Sequence, residues 1–244
     1  MKPLSVLELL NIWDGGQGQS APQRALALLF AACPDQTVDK LVRLGIGRRD
    51  ALLLELRALT FGPKLSCAVA CPSCRERLEV SFNVADLRAK PEVEFAQEYS
   101  LSCEEYDVKF RLPNHQDLLA VMERDGAQTT RDSLFERCVI SARHNREAKS
   151  ASQLPAAVVE EVMEKMAQAD PMGNIQLVLH CPACEHRWQT TFDIVSFFWA
   201  EIGACVHRLL REVHLLASVY GWRETDILSL SPWRRQLYLR MVTG

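Results

Sequence analysis

Two short cysteine motifs constrain this 244-residue chain more than anything else in it: Cys71-Pro72-Ser73-Cys74 and Cys181-Pro182-Ala183-Cys184. They lie 110 positions apart, and the same offset relates Val69 to Leu179, Leu78 to Trp188, Phe82 to Phe192 and Val84 to Ile194. Each motif supplies two thiolates, whereas a structural zinc ion takes four ligands in a tetrahedron. The repeat therefore predicts one zinc ion held by Cys71, Cys74, Cys181 and Cys184, assembled from segments remote in sequence. The turn of such a knuckle points two sulfurs inward and aims backbone N–H groups at them, which favours the thiolate over the thiol. A glycine commonly succeeds the second cysteine. Here Arg75 and Glu185 occupy that place, and a positive φ would carry some strain there.

Apolar periodicity around the motifs has a period of two. Leu65, Cys67, Val69 and Cys71 share one face of an extended segment, and Leu78, Val80, Phe82 and Val84 alternate beyond the turn. Ile175, Leu177 and Leu179, then Trp188, Thr190 and Phe192, repeat the pattern. Both knuckles are expected at hairpin tips, as in a zinc ribbon. Dithiol oxidoreductases use the same Cys-Pro-x-Cys spelling, but they depend on a helix N-terminus after the motif. Here a strand-like segment succeeds each motif, which argues against redox chemistry.

The other segments read as mainly helical. Trp13 to Gln19 is expected as a loop, and Ser20 should cap a helix from Ala21 to Ala32 that Cys33-Pro34 ends. A second helix is predicted from Arg48 to Leu59, with Leu52, Leu53, Leu56 and Leu59 as its apolar stripe and Gly62-Pro63 as its stop. Between the cysteine motifs, Tyr99–Leu101 and Tyr106–Leu112 suggest a hairpin. Asn114 should cap a helix through Arg124, and Ser133–Arg143 and Ala156–Ala169 read as helices. Beyond the second motif a long amphipathic helix is predicted from Ser196 to Tyr220, with Glu201, Arg208, Arg211 and Glu212 off its apolar stripe. Gly221 should end it, with a short helix over Arg223–Leu228 and a last one from Ser231-Pro232 to Met241 beyond. The fold class expected is α+β, mainly helical, with a small zinc-ribbon-like pair of β-hairpins and a long C-terminal helix. The chain divides into five regions: 1–64, N-terminal helices; 65–87, first half of the ribbon; 88–171, an inserted hairpin-plus-helices subdomain; 172–195, second half of the ribbon; and 196–244, C-terminal helices. Closing the ribbon across that insert costs entropy that grows only logarithmically with loop length.

Composition is that of a soluble globular protein, and a net charge of −3 argues against whole-surface attraction to nucleic acid or anionic lipid. No segment approaches the roughly 18 uninterrupted apolar residues of a membrane span, and the first ten residues make a poor signal peptide, so a cytoplasmic place of synthesis is expected. Nine cysteines are an odd number; Cys33, Cys67, Cys103, Cys138 and Cys205 read as small core residues in a reducing compartment. His180 and His186 flank the second motif without counterparts in the first, and read as solvent-facing or as supporting a ligand from outside the metal's own coordination. His207 and His214 lack the four-residue spacing of a zincin and read as surface positions. Glu104-Glu105, Arg48-Arg49 and Arg234-Arg235 read as solvated charge. No phosphate-binding loop, nucleophile elbow or nucleotide fingerprint occurs, so no catalytic residue is nominated and the chain is expected not to be an enzyme. The alternative reading is a zinc-ribbon nucleic-acid-binding adaptor. Arg75, Arg77, Arg88 and Lys90 lie beyond the first motif, but Glu76, Glu79 and Asp86 interrupt them and no aromatics are interleaved.

The run Gly45-Ile46-Gly47-Arg48-Arg49-Asp50-Ala51-Leu52-Leu53-Leu54, then Thr60-Phe61-Gly62-Pro63 and Cys71-Pro72-Ser73-Cys74, resembles the baseplate hub and hub-assembly family of contractile-tailed phages. Related proteins are encoded with phage-tail-like contractile injection systems. Cys181 to Cys184, Phe192-Asp193-Ile194, Phe198 to Ile202, Glu212-Val213-His214, Tyr220-Gly221-Trp222, Ile227 to Pro232 and Arg234-Arg235 are similar to the longer members. The resemblance implies a non-enzymatic part in a tail or injection-system baseplate, either incorporated in the particle or acting during its assembly. It implies contacts with other baseplate, hub, spike or sheath proteins. Only the four motif cysteines carry a role across.

Overall fold

The computed structural model describes residues 1–87, 98–122 and 127–243. Four helices open the chain: α1 (Val6–Gly15), α2 (Ala21–Ala32), α3 (Val38–Val42) and α4 (Ile46–Phe61). Their starts are written locally. Ser5 with Glu8, and Ser20 with Gln23, form capping boxes in which the side chain three residues on reaches back to the cap N–H. The expected loop from Trp13 begins later than its glycines suggest, because α1 continues to Gly15 and Trp13 is needed on its inner face. There Trp13 stacks on Trp199 with centroids 4.9 Å apart. A Cβ on Gly203 would come within 2.5 Å of the Trp13 ring, so glycine is what lets that indole lie on the long helix.

The first hairpin comes next, β1 (Lys64–Ala70) and β2 (Arg77–Asn83), antiparallel in the register Cys67 opposite Val80, and a short α5 (Val84–Leu87) continues from it. The insert has a four-stranded antiparallel sheet in the order β3 (Tyr99–Cys103), β4 (Tyr106–Phe110), β5 (Val139–His144), β6 (Glu147–Lys149). Glu104-Glu105 and Asn145-Arg146 make its two-residue turns with positive φ throughout, the geometry that matches strand twist. Between β4 and β5 run α6 (His115–Met122) and α7 (Ala127–Cys138). The helix expected over Ser133–Arg143 stops at Cys138. Residues from Val139 become a strand because Ala142 and Val139 close the insert's core against Val108 and Phe110. The predicted end of the preceding helix at Arg124 lies outside the described residues. α8 (Ala156–Ala169) covers one face of this sheet with Val158 and Val162.

The second hairpin, β7 (Gln176–His180) and β8 (Arg187–Thr191), leads into α9 (Ile194–Tyr220), capped at its start by Asp193 and at its end by Gly221 with φ 66°. α10 (Glu224–Ser229) and α11 (Pro232–Thr243) fold back on α9 around Leu216, Ile227 and Leu239. The architecture is thus α+β and mainly helical, with small antiparallel sheets and a long C-terminal helix.

The largest apolar cluster joins α1, α2 and α4 to the first half of α9 through Leu28, Leu53, Leu56, Phe198 and Ile202. The roots of both hairpins belong to it: Leu65 and Val84 from the first, Ile175 and Ile194 from the second. Arg57, 3% exposed, fixes that junction. It donates from Nε and Nη2 to the two oxygens of Glu201 at 2.7 and 2.5 Å, and from Nη1 to the carbonyls of Gly62 and Lys64. One guanidinium thereby ties the end of α4 and the first residue of β1 to α9.

Candidate metal centre

From these roots the hairpins project outward, and their interiors are thin. In β2 and β8 no residue is fully buried; in the two motif-bearing arms only Leu65, Cys71, Leu179 and Cys181 are. Phe82 and Phe192, partners by the repeat, meet edge to face at 5.4 Å. Apolar contact alone holds little of this region together.

The tips converge. Cys71 and Cys184 have their sulfurs 3.7 Å apart, and Cys74 and Cys181 have theirs 3.6 Å apart. All four sulfurs lie within 4.8 Å of one another. A tetrahedron of sulfurs at about 2.3 Å from a central zinc has edges of about 3.8 Å, so the cross-paired distances fit such an ion. The pairing is reciprocal: the first cysteine of each knuckle meets the second of the other, as two equivalent halves related by a local twofold would.

The turns are built alike. Cys71 N–H donates to the Glu76 carbonyl at 2.9 Å and Arg75 N–H to the Cys71 carbonyl at 2.9 Å; Cys181 with His186 and Glu185 with Cys181 repeat this at 2.9 and 2.8 Å. Closing so tight a turn requires a left-handed residue after the second cysteine. Arg75 and Glu185 adopt it, with φ of 63° and 58°. Non-glycine residues in this conformation cost on the order of 1 kcal/mol, a strain the rest of the knuckle must offset.

The electrostatics suit a cation. At Cys71 burial opposes ionisation, yet the N–H groups of Cys74 and Ser73 and the adjoining thiols bring its pKa down to about 7. At Cys74 the Glu76 N–H favours the thiolate, but the three neighbouring cysteines together with burial prevail and push it up to about 12. A positive charge among the sulfurs would offset the penalty that keeps Cys74 a thiol. Thiolate donors at tetrahedral spacing are the set that zinc or another soft divalent ion takes.

Sequence-nominated residues outside the quartet stay outside it. Cys67 sits half-buried opposite Val80, its thiol pushed up by burial. Cys33 and Cys138 are buried as expected; Cys103, Cys205 and Cys67 are half-buried, with Cys205 packed against the helical core and Cys103 against the core of the insert. His180, His186, His207 and His214 are exposed; His186 stacks on Trp188 at 5.9 Å and His207 meets Trp13 edge to face. Arg88 and Lys90 lie outside the described residues.

Several charges that look solvated in the sequence are buried in the fold. Arg49 is 7% exposed and pairs with Asp50 at 2.7 Å. Arg235 is 4% exposed and donates from Nε to Glu212 at 2.7 Å, so neither it nor Glu212 is a surface charge. Asp170 has a role that sequence reasoning misses: it accepts the Gly47 N–H at 2.8 Å, capping α4 from 123 positions away and anchoring the segment before β7. The only sequence signal for it is that it precedes Pro171 in a turn.

Among the described residues no helix is long and apolar enough to cross a membrane. No curated protein and no solved structure was found to match the chain. A family model described as T4 bacteriophage base plate protein matches residues 7–199, more than half of the chain and the whole stretch that brings the four cysteines together. The chain accordingly belongs to the T4 bacteriophage base plate protein family.

Proposed function

We propose that this protein is a non-enzymatic structural or assembly component of a contractile phage tail or injection-system baseplate, with one structural zinc ion bound by Cys71, Cys74, Cys181 and Cys184. The observation that carries the reading is the convergence of four sulfurs from hairpins 110 residues apart at spacings that suit a tetrahedral ion. Family membership supports the baseplate role. Structural zinc contributes about 10–16 kcal/mol of apparent binding free energy in small peptides, as much as a whole domain's stability. An ion of that strength clamps the two halves of the ribbon so that the N-terminal helices and α9 present a fixed surface to other baseplate, hub, spike or sheath proteins. The insert, residues 88–171, has its own apolar cluster around Phe110 and Val158 and acts as a separate folding unit within the clamp.

The test has two readouts. Metal analysis of protein purified without chelators should give close to one zinc per chain, and the Cys74→Ser/Cys184→Ser variant roughly a tenth of that or less. In cells producing the particle, the tagged wild-type chain should co-purify with baseplate proteins and the variant should not. Metal-free wild-type protein would overturn the zinc assignment; a chain that ignores every tail protein would overturn the baseplate role.

A further inference from the structure

The solvent face of the outer half of α9 bears no carboxylate. The helix has two, Glu201 and Glu212, and both turn inward to Arg57 and Arg235. Its exposed residues include a stripe of Arg208, Arg211, Leu215 and Val219, spaced by three or four residues and flanked by His207 and His214. Leu215 and Val219 are 39% and 57% exposed. Neither arginine has a carboxylate partner among the described residues.

α8 has the opposite character. Its inner side, Val158 and Val162, is committed to the insert's sheet, and its exposed stripe is Ala157, Glu160, Glu164 and Ala167. The charges separate over the whole chain as well. From Cys205 onward there are six arginines and three carboxylates, and the preceding part carries a clear excess of carboxylates.

We propose that the outer face of α9 docks onto α8 of a second copy of this chain, head to tail. Glu160 and Glu164 are one helical turn apart and meet Arg211 and Arg208 in antiparallel packing, which sets the small Ala157 opposite Leu215 and leaves room there for a close helix crossing. The spacings agree: Arg208 to Leu215 and Ala157 to Glu164 each span about 10 Å at 1.5 Å per residue. Two different faces make the contact, so each added copy offers a fresh α8 and a fresh α9. Growth then continues until the rotation closes a ring or extends a filament, the behaviour of heterologous interfaces.

Sedimentation of the full-length, metal-loaded protein tests this. At about 50 mM salt the mass should at least double with concentration and return to that of the monomer at about 500 mM, because the contact is ionic at its rim. R208E/R211E and E160K/E164K should each be monomeric at low salt, since each makes both faces alike in charge, and an equimolar mixture of the two should associate again. The two variants alter different elements, and circular dichroism checks each fold independently. A wild-type monomer at low salt, association indifferent to either reversal, or a mixture that stays monomeric would overturn the proposal. So would a monomer whose Arg208 and Arg211 instead bind duplex DNA or an unrelated acidic protein.

Discussion

At the scale of single residues, the fold is held at a few points where a polar group is buried and only one side chain fits. A Cβ on Gly47 would lie 1.6 Å from the Asp170 carboxylate oxygen, so the N-terminus of α4 admits that carboxylate only because glycine is there. Arg49 and Asp50 lie on the same turn, and Ile46 N–H donates to the Pro113 carbonyl, which brings the start of α6 alongside. His115 is consequently buried, and its Nε2 finds no hydrogen-bond partner among the described residues. Desolvation, helped by the Arg49 guanidinium, lowers its pKa from 6.5 to about 4. The sign comes from linkage. Between those values the unfolded chain takes up a proton that the folded chain refuses, so stability falls as pH drops through that window, by up to about 3 kcal/mol. Burial raises the carboxyls of Asp50 and Asp170, which acts in the opposite sense, so a difference measurement isolates the imidazole. In urea titrations at pH 7, 6, 5 and 4.5, His115→Gln should lose less stability on acidification than the wild type by about 1–3 kcal/mol. Parallel curves would mean that His115 titrates alike folded and unfolded.

Elements show what the chain discloses locally and what it withholds. The start of α2, the stops of α4 and α9, and the four strands of the two motif-bearing hairpins arise from caps, glycines and period-two alternation, which are local physics. Residues Val139–Arg143 do not, because the pull that makes them a strand is a partner strand and a core contributed by β4. Buried ions are hidden for a related reason: a charge read alone looks solvated. Yet Arg57 stands four residues after Leu53, and Glu212 lies three after Leu209 and four before Leu216, all on buried stripes. A charge at the parity of an apolar stripe is the sign of an inward pair, and Arg235, four before Leu239, is the match for Glu212. That pair, with Gln236 donating to the other Glu212 oxygen at 3.0 Å, locks α11 onto α9. Glu212→Ala should cost about 3–5 kcal/mol by leaving the Arg235 charge buried without its counter-ion, whereas Glu212→Leu/Arg235→Leu should be close to neutral. Thermal denaturation of the two proteins separates the cases. Equal losses in both would mean that α11 is held by the ion pair beyond its apolar contacts.

For the molecule as a whole, the proposed ion divides stability between a helical core that needs no ligand and a pair of hairpins that does. The core built from α1, α2, α4 and the first half of α9 is continuous, and the Arg57 clamp closes it without the knuckles. Away from their roots the hairpin strands bury only Leu179 and otherwise alternate between half-buried and exposed residues, so little apolar area is removed from water there. The neighbouring sulfurs, moreover, oppose ionisation of Cys74, so without a cation the tips have reason to part. If zinc fills the quartet as proposed, stripping it with a strong chelator under reducing conditions should release the two hairpins and spare the helices. Hydrogen exchange read by mass spectrometry should show protection falling by roughly 100-fold or more within residues 66–82 and 177–190, with α2, α4 and the start of α9 nearly unchanged. Far-ultraviolet circular dichroism should lose little amplitude, because the helices persist. If fully metal-free protein kept its hairpin protection, the sulfurs would be held together by the protein alone; if the helices lost protection along with the hairpins, the ribbon and the core would be one cooperative unit, and the ion would support the entire fold.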